Sequence, residues 1–214
     1  MEQVLSLKPH GTPGKLITFC GLDGCGKSTM ISMLCSELEN KGHEVMITKQ
    51  PTDLMRSTNI FRTFMDAEDH SQYSYRTLSL MAVADRIQHV NHVILPALQD
   101  GKTVICDRYF YSCLANLRAR GYEGDNWIYE IAKAEIPSPD LAIFLDVPVE
   151  AAVTRVRERP EEKDRYIDME LQCKLHQQYQ KICREIHGIS ISSFSDILLT
   201  FCEIWEHVKN LEEK

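Results

Sequence analysis

The chain has 214 residues, 43% of them hydrophobic, and a formal net charge of −7. That length and apolar content suffice for one domain with a full core. The acidic balance argues against a nucleic-acid polymer or a membrane surface as partner, because either favours a basic face. Local arginines can still build a pocket for a small anionic ligand.

Residues 1–14 hold two prolines and two glycines and read as a flexible tail. They contain no apolar run long enough for a signal peptide, so a cytoplasmic location is expected. Leu16–Cys20 (LITFC) is a short apolar run, the pattern of a strand buried on both faces. GLDGCGKST follows at 21–29, and a helical pattern then runs from Lys27 to about Lys41. Glu44 to Thr48 reads as a second strand that Pro51 breaks. Residues 52–75 carry no legible pattern. A long helix is expected from about Tyr75 to Gln99, bent near Pro96 and closed by Gly101. Thr103–Asp107 and Leu141–Val147 are two more strands, with helices near 110–120 and 125–135 between them. A helix from Val149 enters the charged stretch RVRERPEEKDRY. Another spans about 168–186, and Ile189–Ser192 is a weak fifth strand before a final amphipathic helix. Near-continuously apolar strands alternating with helices predict a parallel sheet covered on both faces. The eight cysteines form no CxxC pair, which suits a reducing compartment. No run approaches the roughly 20 apolar residues of a membrane span.

The motif G-x-x-x-x-G-K-[ST] between a strand and a helix is a phosphate cradle. Its glycines let backbone amides converge on phosphate oxygens, and the helix N-terminus adds its dipole. The backbone of Gly21, Leu22, Asp23, Gly24, Cys25 and Gly26, with Lys27, Ser28 and Thr29, is therefore expected to hold ATP or GTP. Lys27 meets the terminal phosphates, and the Ser28 hydroxyl ligates Mg²⁺. Asp107 closes its strand at the ligand end of a parallel sheet, where it either orders Mg²⁺ through water or caps the next helix. Arg108 suits bidentate phosphate binding or a surface ion pair. Arg155, Arg157, Arg159 and Arg165 lie within eleven positions, interleaved with acids. They form either a solvated helix face or a lid that brings cations to a transferring phosphoryl group. No Asn-Lys-x-Asp segment is present to read guanine, which argues against a regulatory GTPase.

In order and spacing, GLDGCGKST, VADRIQHV (83–90), DRYFYS (107–112), PSPDLAIFLDVPVEAAVTRVRER (137–159) and KDRYID (163–168) resemble the thymidylate kinase family. The resemblance runs from Leu16 to about Tyr179. It implies the three-layer P-loop NTPase fold, with a five-stranded parallel sheet in a single kinase domain over 15–214 and a mobile lid at about 155–168. It also implies transfer of the ATP γ-phosphoryl group to a nucleoside 5′-monophosphate, dTMP by default, with Mg²⁺, in a homodimer packed through helices. By that resemblance Arg108 grips the acceptor phosphate, Asp23 faces the acceptor's sugar or phosphate, and Arg86 contacts the base. Family members carry a catalytic arginine in the P-loop or in the lid. Gly24 occupies the P-loop position, which leaves Arg155, Arg159 and Arg165 as candidates.

The acceptor pocket departs from the family pattern. Lys49-Gln50-Pro51 replaces Arg-Glu-Pro, Ala82 stands where an aromatic usually stacks on the base, and Asn116-Leu117 replaces Tyr-Gln beyond Ser112. The lid's Asp168 falls one place late. Two readings follow. Either Met81, Phe64 or Tyr73 fills the place of the missing ring, or the acceptor has changed to another nucleotide or phosphorylated metabolite, down to a catalytically weak paralogue.

Overall fold

Five apolar runs form one parallel sheet in the computed structural model, which describes residues 5–122, 124, 126–194 and 196–212. In chain order the strands are β1 (Lys8–Pro9), β2 (Lys15–Cys20), β3 (Val45–Lys49), β4 (Thr103–Asp107), β5 (Pro137–Ser138), β6 (Leu141–Asp146) and β7 (Ile189–Ser192). The large sheet runs β3-β4-β2-β6-β7, and every pairing is parallel. Asp107 is in register with both Phe19 and Lys49, so the carboxyl ends of β2, β3 and β4 finish level. The chain completes β2 to β4 on one side and then crosses to β6 and β7. Loops diverge at that switch point and leave a crevice.

Helices cover both faces: α1 (Lys27–Asn40), α2 (Asp53–Arg56), α3 (Asn59–Asp66), α4 (Tyr75–His89), α5 (Leu95–Gln99), α6 (Phe110–Ala119), α7 (Asn126–Glu135), α8 (Val149–Arg157), α9 (Met169–Glu185) and α10 (Ile197–Glu212). The core between sheet and helices holds Leu16, Phe19, Leu34, Leu38, Ile105 and Leu117, all fully buried. The expected long helix is α4, a π-helical turn at Val90–Ile94, and α5. Pro96 has no N–H to give the helix ladder, and the wider turn just before it is where the ladder adjusts. The unpatterned 52–75 segment holds α2 and α3. The Thr58 hydroxyl caps α3 by accepting the Phe61 N–H at 3.3 Å, and Ile60 and Phe64 face inward. Among the described residues no helix is long and apolar enough to cross a membrane.

The expected flexible tail is corrected over its described part. Leu5 and Leu7 are buried, and β1 pairs with β5. The Ser6 N–H donates to the Tyr129 hydroxyl at 2.7 Å, which donates back to the Ser6 carbonyl at 3.0 Å. Alternating leucines bind this stretch to the body, a signal the neighbouring prolines and glycines obscured. Residues 1–4 of the expected tail lie outside the described residues.

Candidate active site

The six residues between β2 and α1, with the first turn of α1, open onto a cavity of about 810 Å³. Leu22, Asp23, Gly24, Gly26, Lys27, Ser28 and Thr29 line it. Lys27 Nζ lies 2.8 Å from the Leu22 carbonyl and 3.2 Å from the Gly21 carbonyl, so its charge already sits inside the loop. Gly21 and Cys25 do not face the cavity. The Cys25 thiol is fully buried, and a Cβ on Gly21 would stand 2.7 Å from its sulfur.

Gly24 is closed to any side chain. Its φ is +84°, and a Cβ would meet the Ala152 carbonyl of α8 at 2.1 Å. A phosphate-facing cation at this P-loop position is therefore excluded unless α8 retreats. Gly24→Ala is expected to cost at least about 1–3 kcal/mol, read as a Tm lowered by about 2–4 °C per kcal/mol. An unchanged Tm would mean that α8 does not press on the loop.

Opposite the cradle stands Arg108, which follows Asp107 with φ +66°, an uncommon conformation for a residue with a side chain. Its Nη2 donates to Asp23 Oδ1 at 2.6 Å, and its Nη1 donates to the Tyr179 hydroxyl at 2.8 Å and the Gly21 carbonyl at 3.2 Å. The other oxygen of Asp23 is 3.6 Å from Arg165 Nη1, which also pairs with Glu162 at 2.9 Å. Asp23 thus joins an acceptor-side and a lid arginine. Burial opposes its ionisation, but Arg108, Lys27 and Arg165 hold its carboxyl well below the usual range, although 41% of the side chain is open to the cavity. For Arg108, burial disfavours the charge, and Tyr179, Asp23 and Asp107 outweigh it. Arg56, unrecognised in the sequence, also lines the cavity, its Nε donating to the Pro51 carbonyl at 2.9 Å. Burial lowers its pKa, and Arg108 adds to that. Lys49 pairs with Asp53 at 2.8 Å and stays at the cavity edge.

The far end of the cavity is lined by Phe64, Tyr75, Ala82, Arg86, Ser112 and Asn116. Arg86 is 2% exposed; its Nη1 donates to the Ala82 carbonyl at 2.8 Å, and its buried Nε has no hydrogen-bond partner among the described residues. Of the residues that could replace the ring missing at Ala82, Phe64 of α3 lines the cavity, set edge-on to Tyr75 at 5.1 Å. Met81 and Tyr73 do not line the cavity, and Leu117 is buried in the core. Asn116 donates to the Ser112 carbonyl at 2.9 Å and accepts from Arg120 at 2.9 Å, with the Arg120 guanidinium over the Tyr75 ring at 4.2 Å. Tyr75 and Arg120 were not legible as site residues, because nothing local marks them.

The Pro51 loop is held from behind. Asp85 accepts the Thr52 N–H at 2.9 Å and the Thr52 hydroxyl, while His89 bridges Thr48 at 2.8 Å and Gln50 at 3.1 Å. Burial pushes the His89 pKa below its ordinary value of 6.5, against Asp85 and aided by Arg86. The fold therefore favours neutral His89, and the unfolded chain takes up the proton first. The stability this contributes is full above 6.5 and is lost as the pH falls below it. Tm is expected to fall less steeply in His89→Asn than in the parent across that window; identical slopes would contradict the assignment.

The lid arginines separate. Arg159 and Arg165 line the cavity, but Arg155 does not: its guanidinium donates to the Ser193 carbonyl at 3.2 and 3.3 Å and to the Gly24 carbonyl at 3.4 Å. Arg155 lies within α8, which continues to Arg157, so only Arg159 and Arg165 fall in the stretch between α8 and α9. Arg155 is corrected from a candidate catalytic group to a strut between the P-loop and the loop after β7. Asp168 caps α9 by accepting the Leu171 N–H at 3.0 Å.

A family model described as thymidylate kinase matches residues 19–197. The chain belongs to the thymidylate kinase family. A probable thymidylate kinase of Pyrococcus horikoshii is 40% identical over 190 residues, covering 86% of this chain and 92% of the relative. One from Thermococcus onnurineus is 34% identical over 196 residues, covering 87% and 95%. A thymidylate kinase of Desulfotalea psychrophila is 40% identical over 144 residues, covering 67% and 69%. The matched span takes in the thymidylate kinase P-loop, the Asp107–Arg108 pair and the lid, and so includes both sides of the cavity.

Proposed function

We propose that this thymidylate kinase family member transfers the γ-phosphoryl group of ATP to the 5′-phosphate of dTMP, giving dTDP and ADP. The observation that carries this reading is Asp23, which holds Arg108 and Arg165 together between the phosphate cradle and the ring-lined cavity. The relatives' names favour dTMP over another acceptor.

In the transfer, an oxygen of the dTMP phosphate bonds to the γ-phosphorus as the bond from that phosphorus to the ADP oxygen breaks. Charge spreads over the three equatorial oxygens in between. Lys27 moves from the Leu22 and Gly21 carbonyls onto the donor phosphates. Arg108 presents its unspent N–H donors to the acceptor phosphate, with Arg56 beside it, and Lys49 adds charge at the edge. Arg86 contacts the base, Phe64 packs against it, and Pro51, Ala82, Ser112 and Asn116 complete the wall. Arg165, with Arg159, meets the equatorial oxygens, and closure of the lid excludes water.

The residues fit Mg²⁺: Asp107 Oδ1 is buried with no hydrogen-bond partner among the described residues, and Ser28 lies at the cavity wall. Ser28 would ligate the ion and Asp107 would hold its water shell. Bound there, the cation supplies neutralisation of charge on the β- and γ-phosphate oxygens.

Coupled ADP release over dTMP, dUMP, CMP and thymidine tests the reading. Turnover of dTMP well above the others supports it; dTMP no faster than dUMP or CMP would refute it. We also infer a homodimer, supported by the exposed Leu80 and Met81 on α4 and Val93 just beyond it. Light scattering at the mass of one chain would refute the dimer.

A further inference from the structure

We infer that Tyr179 is a positioning residue for the reaction, fixing the guanidinium of Arg108 from the helix that follows the lid. The inference rests on the reading of Arg108 as the group that holds the acceptor phosphate.

A guanidinium has five N–H donors. The protein takes three from Arg108: Nη1 gives to the Tyr179 hydroxyl at 2.8 Å and the Gly21 carbonyl at 3.2 Å, and Nη2 gives to Asp23 at 2.6 Å. The remaining two, on Nε and Nη2, are left for a phosphate. Removing the Tyr179 acceptor frees one N–H of Nη1 and leaves the fork held by the longer Gly21 contact and by Asp23 alone, so it is less firmly oriented. The backbone cannot take over this task, because Arg108 is held at φ +66° only by what surrounds it.

Tyr179 is built to be a fixed acceptor. It is 5% exposed, and its ring meets Phe144 edge-on at 6.4 Å. Burial raises its pKa, although Arg108 pulls the other way, so the phenol keeps its proton. Its helix is itself pinned: Glu185, two turns on, forms a buried ion pair with Arg118 of α6 at 2.9 Å. The hydroxyl thereby ties the acceptor-side arginine to α9, which begins at Met169 where the lid ends.

Tyr179→Phe keeps the packed ring and deletes only the hydroxyl. The expected result is a fall of about tenfold to a hundredfold in kcat/KM for dTMP, the range for losing one hydrogen bond to a charged group. KM for ATP and Tm are expected to match the parent. In an Arg108→Lys background, where no fork remains to be oriented, the same change is expected to have no further effect. Nitrogen NMR of the Arg108 guanidinium, assigned by its loss in Arg108→Lys, reports positioning without substrate; hindered rotation of Nη1 in the parent is expected to quicken in Tyr179→Phe. Parental kcat/KM in Tyr179→Phe, an equal loss in both backgrounds, or unchanged guanidinium rotation would each overturn the inference. A parent enzyme that fails to phosphorylate dTMP would instead refute the proposed function, and the NMR arm would still decide the role of Tyr179.

Discussion

Arg108→Ala is expected to lower kcat/KM for dTMP by about 10²–10³-fold, the loss typical of removing one preorganised donor to developing charge. Two effects act together. The acceptor phosphate loses its forked donor, and Asp23 loses its nearest cation, the partner 2.6 Å away. Asp23 remains ionised under the influence of Lys27 and Arg165, so a carboxylate that has lost its nearest partner would face an incoming phosphate dianion. Arg108→Lys restores charge but not the fork, which a single ammonium on a flexible stem cannot reproduce, and is expected to recover only part of the loss. Affinity for a non-hydrolysable ATP analogue is expected to change less, because Lys27, Ser28 and the helix N-terminus remain in place to hold the donor phosphates. Steady-state kinetics beside calorimetric titration of the analogue separates the two. Unchanged kcat/KM would mean that the acceptor phosphate binds elsewhere.

Arg165→Ala is expected to reduce kcat by about 10³-fold or more, as loss of a transition-state arginine does in phosphoryl transfer. The assignment follows from what each lid arginine touches. Arg155 is spent on the Ser193 and Gly24 carbonyls, and Gly24 itself admits no side chain. Arg165 is held 3.6 Å from Asp23, directly over the P-loop. A triphosphate there outweighs Asp23 and Glu162 as a partner for this cation. KM for dTMP is expected to move less than kcat, because the contact forms mainly in the transition state. Arg155→Ala, in contrast, is expected to act through Tm and KM for ATP. If Arg165→Ala retains kcat while Arg159→Ala loses it, the catalytic cation is Arg159.

The donor half of this site was legible because its chemistry is local. A phosphate cradle needs one strand, one turn and one helix in unbroken sequence, and GLDGCGKST states all three. The strands were legible for a related reason: a sheet covered on both faces demands continuous apolar runs such as LITFC and LAIFLD. The acceptor half is assembled from distant segments. Phe64 is set by α3, Tyr75 by the start of α4, Arg120 by the end of α6, and Tyr179 by the middle of α9. Each fits an ordinary helix pattern, and only the packing of those helices turns them toward one cavity. Arg155 failed for the opposite reason. Its neighbours in sequence are lid arginines, but α8 is still helical at that position and carries it behind the P-loop. The buried leucines of residues 5–9 were masked by prolines and glycines that suggest a free end.

The account stands on one claim, that a single cavity holds both donor and acceptor and passes phosphoryl directly between them. Incubation with ATP labelled in its γ-phosphoryl group, dTMP and Mg²⁺ tests it. The expected result is label in the β-phosphate of dTDP, matched by ADP formed; label released only as free phosphate, or retained in ATP, would contradict it.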